Sequence, residues 1–251
     1  MSVLITGAAN GLGAALSKQA IERAHTVTGI DVNWPADDEA PNNKLLQIKA
    51  NLSDMKAVLG LTNVIAAQAP YEAVFHNAAI SASGRFEDIP ASAHQRLIDI
   101  NVTAPLILTQ QLLQQGSLKR GSTFIFIASL SVQVGYPGAA SYAASKAAIA
   151  NYAKSLRKAL KRDGIHVLVV YPGPIKTEQA ARHAPKGADS ETRMDAEEVA
   201  RLIWKAVDTK KKHLIPGTPN RLFGLAGTLM PRLLNRVMRK IIYDKLDGSV
   251  Y

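Results

Sequence analysis

The sequence predicts a doubly wound α/β domain, in which a parallel sheet of about seven strands is covered by helices on both faces. Short β-branched apolar runs alternate with helix-length segments along most of the 251 residues. The runs are apolar throughout, which is typical of strands that are buried on both faces. The segments between them are long enough for the helical crossovers that parallel strands need.

The elements follow from these two patterns. The runs predicted as strands are residues 2–6, 26–31, 45–50, 73–76, 123–128, 166–170 and 213–215. The segments predicted as helices are residues 12–24, 54–69, 93–115, 141–162 and 196–207. Because no repeat or linker interrupts them, we expect one domain over residues 1–217. Its polar stretch 178–193 is predicted to be irregular, either a mobile lid over a substrate pocket or an ordinary surface loop.

Composition excludes several kinds of site. The chain has no cysteine, so disulfides, thiolate nucleophiles and cysteine-bound metals are ruled out, and a cytoplasmic location is expected. Its six histidines lack the spacing H-E-x-x-H or a comparable ligand pattern, so no metal is expected. Residues 1–7 run directly into a strand and predict no signal peptide.

The turn after the first predicted strand has the spacing T-G-x-x-x-G-x-G over residues 6–13. It opens the first predicted helix, where unpaired N–H groups and the helix dipole attract a pyrophosphate. Glycines let the backbone approach phosphates that a Cβ would hold away. A glycine-rich turn by itself is also compatible with an ordinary tight turn. The candidate cofactor contacts from this motif are Thr6, Gly7, Asn10, Gly11, Leu12 and Gly13.

Asp31 ends the second predicted strand, about 20 residues after the glycine-rich turn. A carboxylate at this place accepts hydrogen bonds from the adenosine ribose hydroxyls and repels a 2′-phosphate. Asn10 and Val32 supply no compensating cation. The sequence therefore predicts NAD rather than NADP, the alternative being that Asp31 is only a strand-terminal turn residue.

A tyrosine and a lysine with a proton-transfer pattern follow later in the chain. Tyr142 and Lys146 are four residues apart in a predicted helix, so both side chains share one face. Tyrosine has an ordinary pKa of about 10, and a neighbouring cation lowers it towards the range of a useful acid or base. Ser129 follows the strand 123–128, at the sheet edge where α/β domains bind ligands, and its hydroxyl can polarise a carbonyl. Each feature alone is common, and their conjunction is informative.

The order of these motifs resembles that of the short-chain dehydrogenase/reductase (SDR) family over about residues 1–177. The resemblance implies a Rossmann-type domain that moves a hydride between a nicotinamide ring and a secondary alcohol or ketone. Tyr142 would be the general acid/base, Lys146 would lower its pKa and bind the nicotinamide ribose, and Ser129 would orient the substrate oxygen. Asn101 would hold its helix and a water that relays protons to Lys146.

Three further segments resemble cofactor-binding parts of the family. An N-A motif provides Asn77, Ala78 and Ala79, with His76 and Ala79 departing from the usual asparagine and glycine. A P-G motif provides Pro172, Gly173, Ile175 and Thr177, of which the last two would touch the nicotinamide carboxamide. Asn51 and Leu52 stand where the family usually has an aspartate that reads the adenine amino group. We expect the amide oxygen of Asn51 to accept the same hydrogen bond.

Residues 218–251 are predicted to form a basic, amphipathic helical extension. Residues 209–245 contain nine Lys or Arg and one acid, a net +8 of the chain's +10. Apolar residues recur every three or four positions from Leu222 to Ile242, and Pro231 divides this stripe into two helices. Arg232, Arg236, Arg239 and Lys240 occupy the polar side. Residues 218–246 could therefore lie on an anionic membrane surface without spanning it, or pack on the domain or in a homo-oligomer interface.

Two other classes of function are compatible with parts of the sequence. An NAD-binding regulatory or sensor protein would need the nucleotide site but no matched proton relay. An epimerase or dehydratase of the longer relatives shares Y-x-x-x-K but has a different glycine spacing. Aromatic residues are sparse in the basic tail, which argues against nucleic acid as a partner. The resemblance implies a homodimer or homotetramer, and the tail favours a hydrophobic or lipid-like substrate and a place at the inner face of a membrane.

Overall fold

The structure is a computed structural model that describes residues 1–35, 43–184, 193–246 and 248–251. Its main sheet has seven parallel strands in the order β3-β2-β1-β4-β5-β6-β9. The strands are β1 (Ser2–Thr6), β2 (Thr26–Asp31), β3 (Leu45–Lys49), β4 (Tyr71–His76), β5 (Leu118–Ile127), β6 (His166–Val170) and β9 (His213–Leu214). Two short strands, β7 (Ile175–Lys176) and β8 (Met194–Asp195), pair separately in parallel. The predicted doubly wound α/β class is confirmed.

Helices cover both faces of the sheet, and two more helices come after its last strand in the chain. The helices are α1 (Gly11–Glu22), α2 (Met55–Gly60), α3 (Thr62–Ala66), α4 (Ala91–Ile98), α5 (Ala104–Gln114), α6 (Ser131–Val134), α7 (Ala140–Ala159), α8 (Glu178–Arg182), α9 (Ala196–Asp208), α10 (Thr218–Leu229) and α11 (Pro231–Ile241). One core cluster joins β1 to α1 and α9 and contains Leu16 and Trp204. The other joins β4 and β5 to α5 and α7 and contains Leu108 and Ile149. Alternate residues of each strand supply the two clusters, as expected for a sheet that is buried on both faces.

Two predicted helices are interrupted. The segment 93–115 contains a π turn at Asp99–Thr103 between α4 and α5. Pro105 has no N–H to donate to the carbonyl of Asn101 four residues before it, so the regular ladder cannot run through this point. The segment 54–69 divides into α2 and α3, where Gly60 ends the first helix. The strand predicted at 123–128 begins earlier, at Leu118, which pairs with Tyr71 of β4 before the register shifts to the pair Ala73–Thr123.

The sheet winds away from β1 in both directions, towards β2 on one side and β4 on the other. Loops that follow neighbouring strands diverge there and leave a crevice at the carboxyl edge. The tail helices α10 and α11 pack beside α6 at this edge, and Pro231 separates them as predicted. Among the described residues, every helix is too short or too polar to span a bilayer.

Candidate active site

A cavity of about 810 Å³ opens at the carboxyl edge of the sheet. Its walls come from the loops that follow β1 to β6, from α8 and from the tail helices. The predicted site residues that line it are Gly7, Asn10, Gly11, Leu12, Asp31, Asn51, Leu52, Asn77, Ala78, Ala79, Ser129, Tyr142, Lys146, Pro172, Gly173, Ile175 and Thr177. Thr6, Gly13 and Asn101 do not line it, and the structure gives each of these a different role.

The glycine-rich turn forms one wall of the cavity. Gly7 and Gly11 have φ angles of +65° and +53°, which favour glycine. A Cβ on Gly13 would lie 1.8 Å from the carbonyl oxygen of Gly7, so this glycine lets α1 pack closely against the turn. Gly13 is therefore required for packing, and its predicted contact with the cofactor stays a prediction. The Asn10 side chain does not cap α1, so the first N–H groups of the helix remain available to an anion.

Thr6 ties the loop after β1 to the loop after β4. Its hydroxyl accepts hydrogen bonds from the backbone N–H groups of Asn77 and Ala78 at 3.0 and 3.1 Å and donates to the Phe75 carbonyl at 3.3 Å. The Asn77 side-chain amide donates to the carbonyls of Thr6 and Gly7 at 3.0 and 3.1 Å. Thr6 is buried and positions two cavity walls, and its predicted contact with a cofactor stays a prediction.

Asp31 is held against the glycine-rich turn at the end of β2. Its Oδ2 accepts a hydrogen bond from the backbone N–H of Ala9 at 2.9 Å. Its Oδ1 accepts from the N–H groups of Val32 and Asn33 at 2.7 and 3.3 Å. These donors fix the carboxylate, and its remaining lone pairs can accept from ribose hydroxyls. The geometry therefore fits a dinucleotide whose adenosine ribose lies beside β2.

Asn51 lines the cavity, but its side-chain oxygen is already in use. This oxygen accepts hydrogen bonds from the backbone N–H and the hydroxyl of Ser53 at 3.0 and 2.8 Å. Both of its lone-pair directions are engaged just before α2, so the predicted hydrogen bond from an adenine amino group would have to compete with Ser53 and stays a prediction. The side chain has only its NH₂ donors left for a purine.

Tyr142, in the first turn of α7, faces Ser129 at the end of β5. The Ser129 hydroxyl accepts a hydrogen bond from the N–H of Ser131 at 3.1 Å and lies close enough to the phenol to affect its pKa. Burial raises the pKa of the Tyr142 phenol, whereas the interaction with Ser129 opposes the rise. The prediction from the sequence is that Lys146 lowers this pKa. In the protein by itself burial has the larger effect, because desolvation disfavours the phenolate.

Lys146 lies one helical turn after Tyr142 and is buried. Its Nζ is 5.7 Å from the centroid of the Tyr142 ring and donates a hydrogen bond to the Ile127 carbonyl at 2.8 Å. Burial lowers the pKa of Lys146 to about 8. The ammonium is therefore close enough to interact with the phenol, and it lines the cavity. It titrates near physiological pH.

Asn101 lies in the π turn and is buried beside α7. Its side-chain oxygen accepts from the N–H of Ile80 at 2.9 Å, and its NH₂ donates to the Ile80 carbonyl at 2.9 Å and to the Ser145 hydroxyl at 3.0 Å. These bonds fix the loop after β4 against the helix that carries Tyr142. The side chain thus positions the loop after β4 against α7, and the water relay from Asn101 to Lys146 stays a prediction.

His76 is a core residue. Its Nε2 is hydrogen-bonded to the Thr109 hydroxyl at 2.9 Å, and its ring stacks on Phe124 and Phe126. Burial lowers its pKa to about 3, so the ring is neutral. This environment gives His76 a structural role, and its ring does not reach the cavity. The described residues contain no group of three or more His, Asp or Glu side chains that could hold a metal ion.

The polar segment 178–193 begins as a helix and not as the predicted irregular loop. The Thr177 hydroxyl caps α8 by accepting from the N–H of Ala180 at 3.1 Å. Gln179 donates to the Ala79 carbonyl at 3.1 Å, and the His183 ring is hydrogen-bonded to the Ser83 hydroxyl at 2.9 Å. These contacts hold the start of the segment against the loop after β4. Residues 185–192 of the predicted lid lie outside the described residues.

One whole wall of the cavity is not predicted by the sequence. This wall is formed by Val134, Tyr136, Arg193, Phe223, Met238 and Ile242. Met238 and Ile242 are buried against Val134, with Phe223 and Tyr136 packed around them. The apolar repeat of the tail indicated a buried face, but it could not indicate what that face covers. The inner face of the tail therefore packs on the domain.

Comparison with known protein families agrees with this arrangement of the site residues. Residues 1–187 match the family model described as short chain dehydrogenase. The chain is 29% identical over 235 residues to 1-deoxy-11-beta-hydroxypentalenate dehydrogenase of Streptomyces exfoliatus, covering 88% of this chain and 84% of that protein. It is 31% identical over 178 residues to 3-oxoacyl-(acyl-carrier-protein) reductase MabA of Mycobacterium avium, covering 70% of this chain and 68% of that protein.

Solved structures with the same fold include proteins in complex with either nicotinamide dinucleotide. One is 4-hydroxyisoleucine dehydrogenase complexed with NADH, with a TM-score of 0.76, 21% identity and coverage of 85% of this chain and 96% of that chain. Another is a short-chain dehydrogenase from Sphingobium yanoikuyae in complex with NADPH, with a TM-score of 0.73, 24% identity and coverage of 90% and 92%.

Proposed function

Since the chain belongs to the short-chain dehydrogenase family and is an oxidoreductase that acts on CH–OH groups, we propose that it interconverts a secondary alcohol and a ketone with NAD(H). One observation carries the proposal, which is that Ser129, Tyr142 and Lys146 line the same cavity as Asp31 and the glycine-rich turn. The named relatives are dehydrogenases and reductases, so nothing favours the alternative of an NAD-binding sensor.

The side chains have distinct roles in this reaction. A bound nicotinamide dinucleotide supplies the hydride in reduction and accepts it in oxidation. During reduction the Tyr142 phenol donates a proton to the carbonyl oxygen, and during oxidation the Tyr142 phenolate removes the proton from the alcohol. Ser129 donates a hydrogen bond that orients the same oxygen. The Lys146 ammonium stabilises the phenolate that forms when Tyr142 has lost its proton.

The preference for NAD over NADP is supported by Asp31. Its fixed carboxylate would lie beside the 2′ position of the adenosine ribose, where it accepts from a hydroxyl and repels a phosphate. The neighbouring side chains Asn10 and Val32 carry no positive charge that could bind a phosphate. The first N–H groups of α1 and the glycine-rich turn would hold the pyrophosphate.

The test is a panel of secondary alcohols and ketones assayed with NAD, NADP, NADH and NADPH. We expect turnover with NAD(H) at a kcat/KM at least about tenfold above that with NADP(H), and a loss of this preference in Asp31→Ala. No turnover of any pair would contradict the proposed reaction. A preference for NADP(H) in the wild type would contradict the role of Asp31 alone.

The tail helices support two further parts of the proposal, a hydrophobic substrate and peripheral contact with an anionic membrane. Their inner face contributes Phe223, Met238 and Ile242 to the cavity. Their outer face exposes Leu222, Leu225 and Leu229 by 64%, 55% and 69%. The exposed basic residues of the two tail helices are Arg221, Arg232, Arg236, Arg239 and Lys240. Apolar side chains that are flanked by positive charge match the chemistry of an anionic bilayer surface.

Co-sedimentation with vesicles tests the membrane contact. The full chain should sediment with phosphatidylglycerol vesicles and not with phosphatidylcholine vesicles, and Leu225→Ser with Leu229→Ser should release it. Substitution of Leu59, an exposed leucine on α2, by serine is the matched control. If the double variant changes the subunit number in light scattering and not vesicle binding, the exposed face is an interface of the proposed homodimer or homotetramer.

A further inference from the structure

The cavity continues past the reacting groups into a region that the proposed reaction does not use. Beyond Tyr142 the walls are the apolar side chains of Val134, Phe223, Met238 and Ile242. A purely hydrocarbon substrate would fill such a region without any polar anchor. One half-buried arginine, Arg193, also lines the cavity.

Arg193 is positioned by the short sheet at the cavity mouth. It precedes Met194, whose N–H donates to the Pro174 carbonyl at 3.1 Å and begins the pairing of β8 with β7. Ile175 of β7 and Pro174 line the same cavity. The backbone that carries Arg193 is thus fixed beside residues 172–177, the loop that would contact the nicotinamide.

Tyr136 lines the cavity together with Arg193 and Tyr142. Burial raises the pKa of the Tyr136 phenol, and the positive charge of Arg193 opposes this rise. The Tyr136 phenol in turn raises the pKa of Tyr142. All three side chains therefore belong to one part of the site, and each of these two pairs is close enough to interact electrostatically.

Among the described residues, the other charged groups that line this end of the cavity leave Arg193 as the net charge. Glu178 and Arg182 also line the cavity, but they form an ion pair at 3.0 Å and offset each other. The His183 ring is hydrogen-bonded to Ser83, and burial lowers its pKa, so it is neutral at pH 7. Within residues 1–35, 43–184, 193–246 and 248–251, no carboxylate forms a salt bridge with Arg193.

We propose that Arg193 is a specificity-determining residue that binds a carboxylate or phosphate group of the substrate. The inference rests on the proposed alcohol–ketone reaction and names the class of its substrate. This class has a reacting carbonyl or hydroxyl at Tyr142, an apolar body against Phe223 and Met238, and an anionic end at Arg193. The planar guanidinium binds such oxygen atoms through two parallel hydrogen bonds, which a neutral end group cannot replace.

Calorimetric titration of the NADH-loaded protein with eight-carbon probes tests the inference without any turnover. Octanoate or octyl phosphate should bind at least about tenfold more tightly than octanamide, and the better of the two identifies the anionic group. Arg193→Gln should abolish the difference and Arg193→Lys should restore part of it. Arg182→Gln, the matched control, should retain the difference.

Three results would overturn the inference. These are equal affinities for octanamide and the anionic probes, an unchanged preference in Arg193→Gln, or an NADH affinity that falls in Arg193→Gln while octanoate binding does not. The last result would assign the guanidinium to the cofactor. Unfolding temperatures and NADH titrations of each variant establish that the compared proteins are folded.

Turnover of 7-oxooctanoate and its methyl ester separates this inference from the proposed function. We expect Arg193→Gln to raise the KM for the acid at least about tenfold and to leave kcat and the ester unaffected. Anionic binding through Arg193 without turnover of either compound would support the inference and overturn the proposed reaction. Equal turnover of both compounds, unchanged in Arg193→Gln, would overturn the inference and support the reaction.

Discussion

Replacing Lys146 by methionine should stabilise the protein while it removes the catalytic cation. The ammonium is buried, which lowers its pKa from 10.5 to about 8. At pH 7 the folded chain therefore holds a cation that is more stable in water than in the protein. Methionine has a similar length and no charge, so it avoids this cost.

The size of the effect follows from the pKa. Each pKa unit corresponds to about 1.4 kcal/mol, so holding the buried cation costs about 3 kcal/mol at pH 7. Loss of the hydrogen bond from Nζ to the Ile127 carbonyl offsets about 1–2 kcal/mol of this. We expect Lys146→Met to raise the free energy of unfolding by about 1–2 kcal/mol and the melting temperature by roughly 3–6 °C.

The pH dependence gives the clearest readout. Between pH 8 and 10.5 the unfolded chain binds more protons at this position than the folded chain, so wild-type stability rises with pH in this window. Below pH 8 the full cost is present. The advantage of Lys146→Met in urea unfolding should therefore shrink by about 1 kcal/mol from pH 7 to pH 9.

The control is Lys154→Met, an exposed lysine on the same helix. It should change stability by less than about 0.5 kcal/mol at either pH. The reasoning would be refuted if Lys146→Met were less stable than the wild type at pH 7, or if its difference from the wild type were the same at pH 7 and pH 9.

Two substitutions test the frame of the cofactor site. Gly13→Ala should lower the free energy of unfolding by about 2 kcal/mol or more, because a Cβ there would lie 1.8 Å from the Gly7 carbonyl oxygen. Gly60→Ala, with open space around its Cα, is the control, and equal thermal shifts would contradict the packing role. Thr6→Val should cost about 1–3 kcal/mol by leaving the N–H groups of Asn77 and Ala78 unpaired, and should raise the Kd for NADH. An unchanged Kd would show that the two loops do not depend on Thr6.

Local sequence patterns were sufficient for the strands and for the residues that follow them. The apolar run of β1 and the glycines after it predict a strand, a turn and a helix from neighbours within about ten residues. The four-residue step from Tyr142 to Lys146 is likewise a property of one helix. Such features could be placed correctly because each is decided by backbone geometry close in the chain.

The roles that the sequence could not predict depend on contacts between distant segments. Thr6 contacts Asn77 only because β1 and β4 are neighbours in the sheet. The Thr6 hydroxyl then accepts a hydrogen bond from the backbone of the loop after β4. Asn51 is a local exception, since its oxygen is engaged by Ser53 only two residues later, in a turn that the motif resemblance does not indicate. The tail helices α10 and α11 cover the cavity only because the chain returns to α6, so the role of Phe223 could not be assigned from spacing alone. The position of Arg193 likewise depends on the pairing of β8 with β7.

The most direct test of the central claim is the turnover of Tyr142→Phe once a ketone substrate is identified, with NADH affinity measured in parallel by fluorescence. Because the phenol is proposed to transfer the proton, the variant should bind NADH as the wild type does and lose at least about a thousandfold in kcat. The variant keeps the Ser129 and Lys146 side chains, so a loss of turnover with normal NADH binding reports on the Tyr142 hydroxyl. A variant that keeps its kcat within about tenfold of the wild type would contradict the claim that Tyr142 is the acid/base.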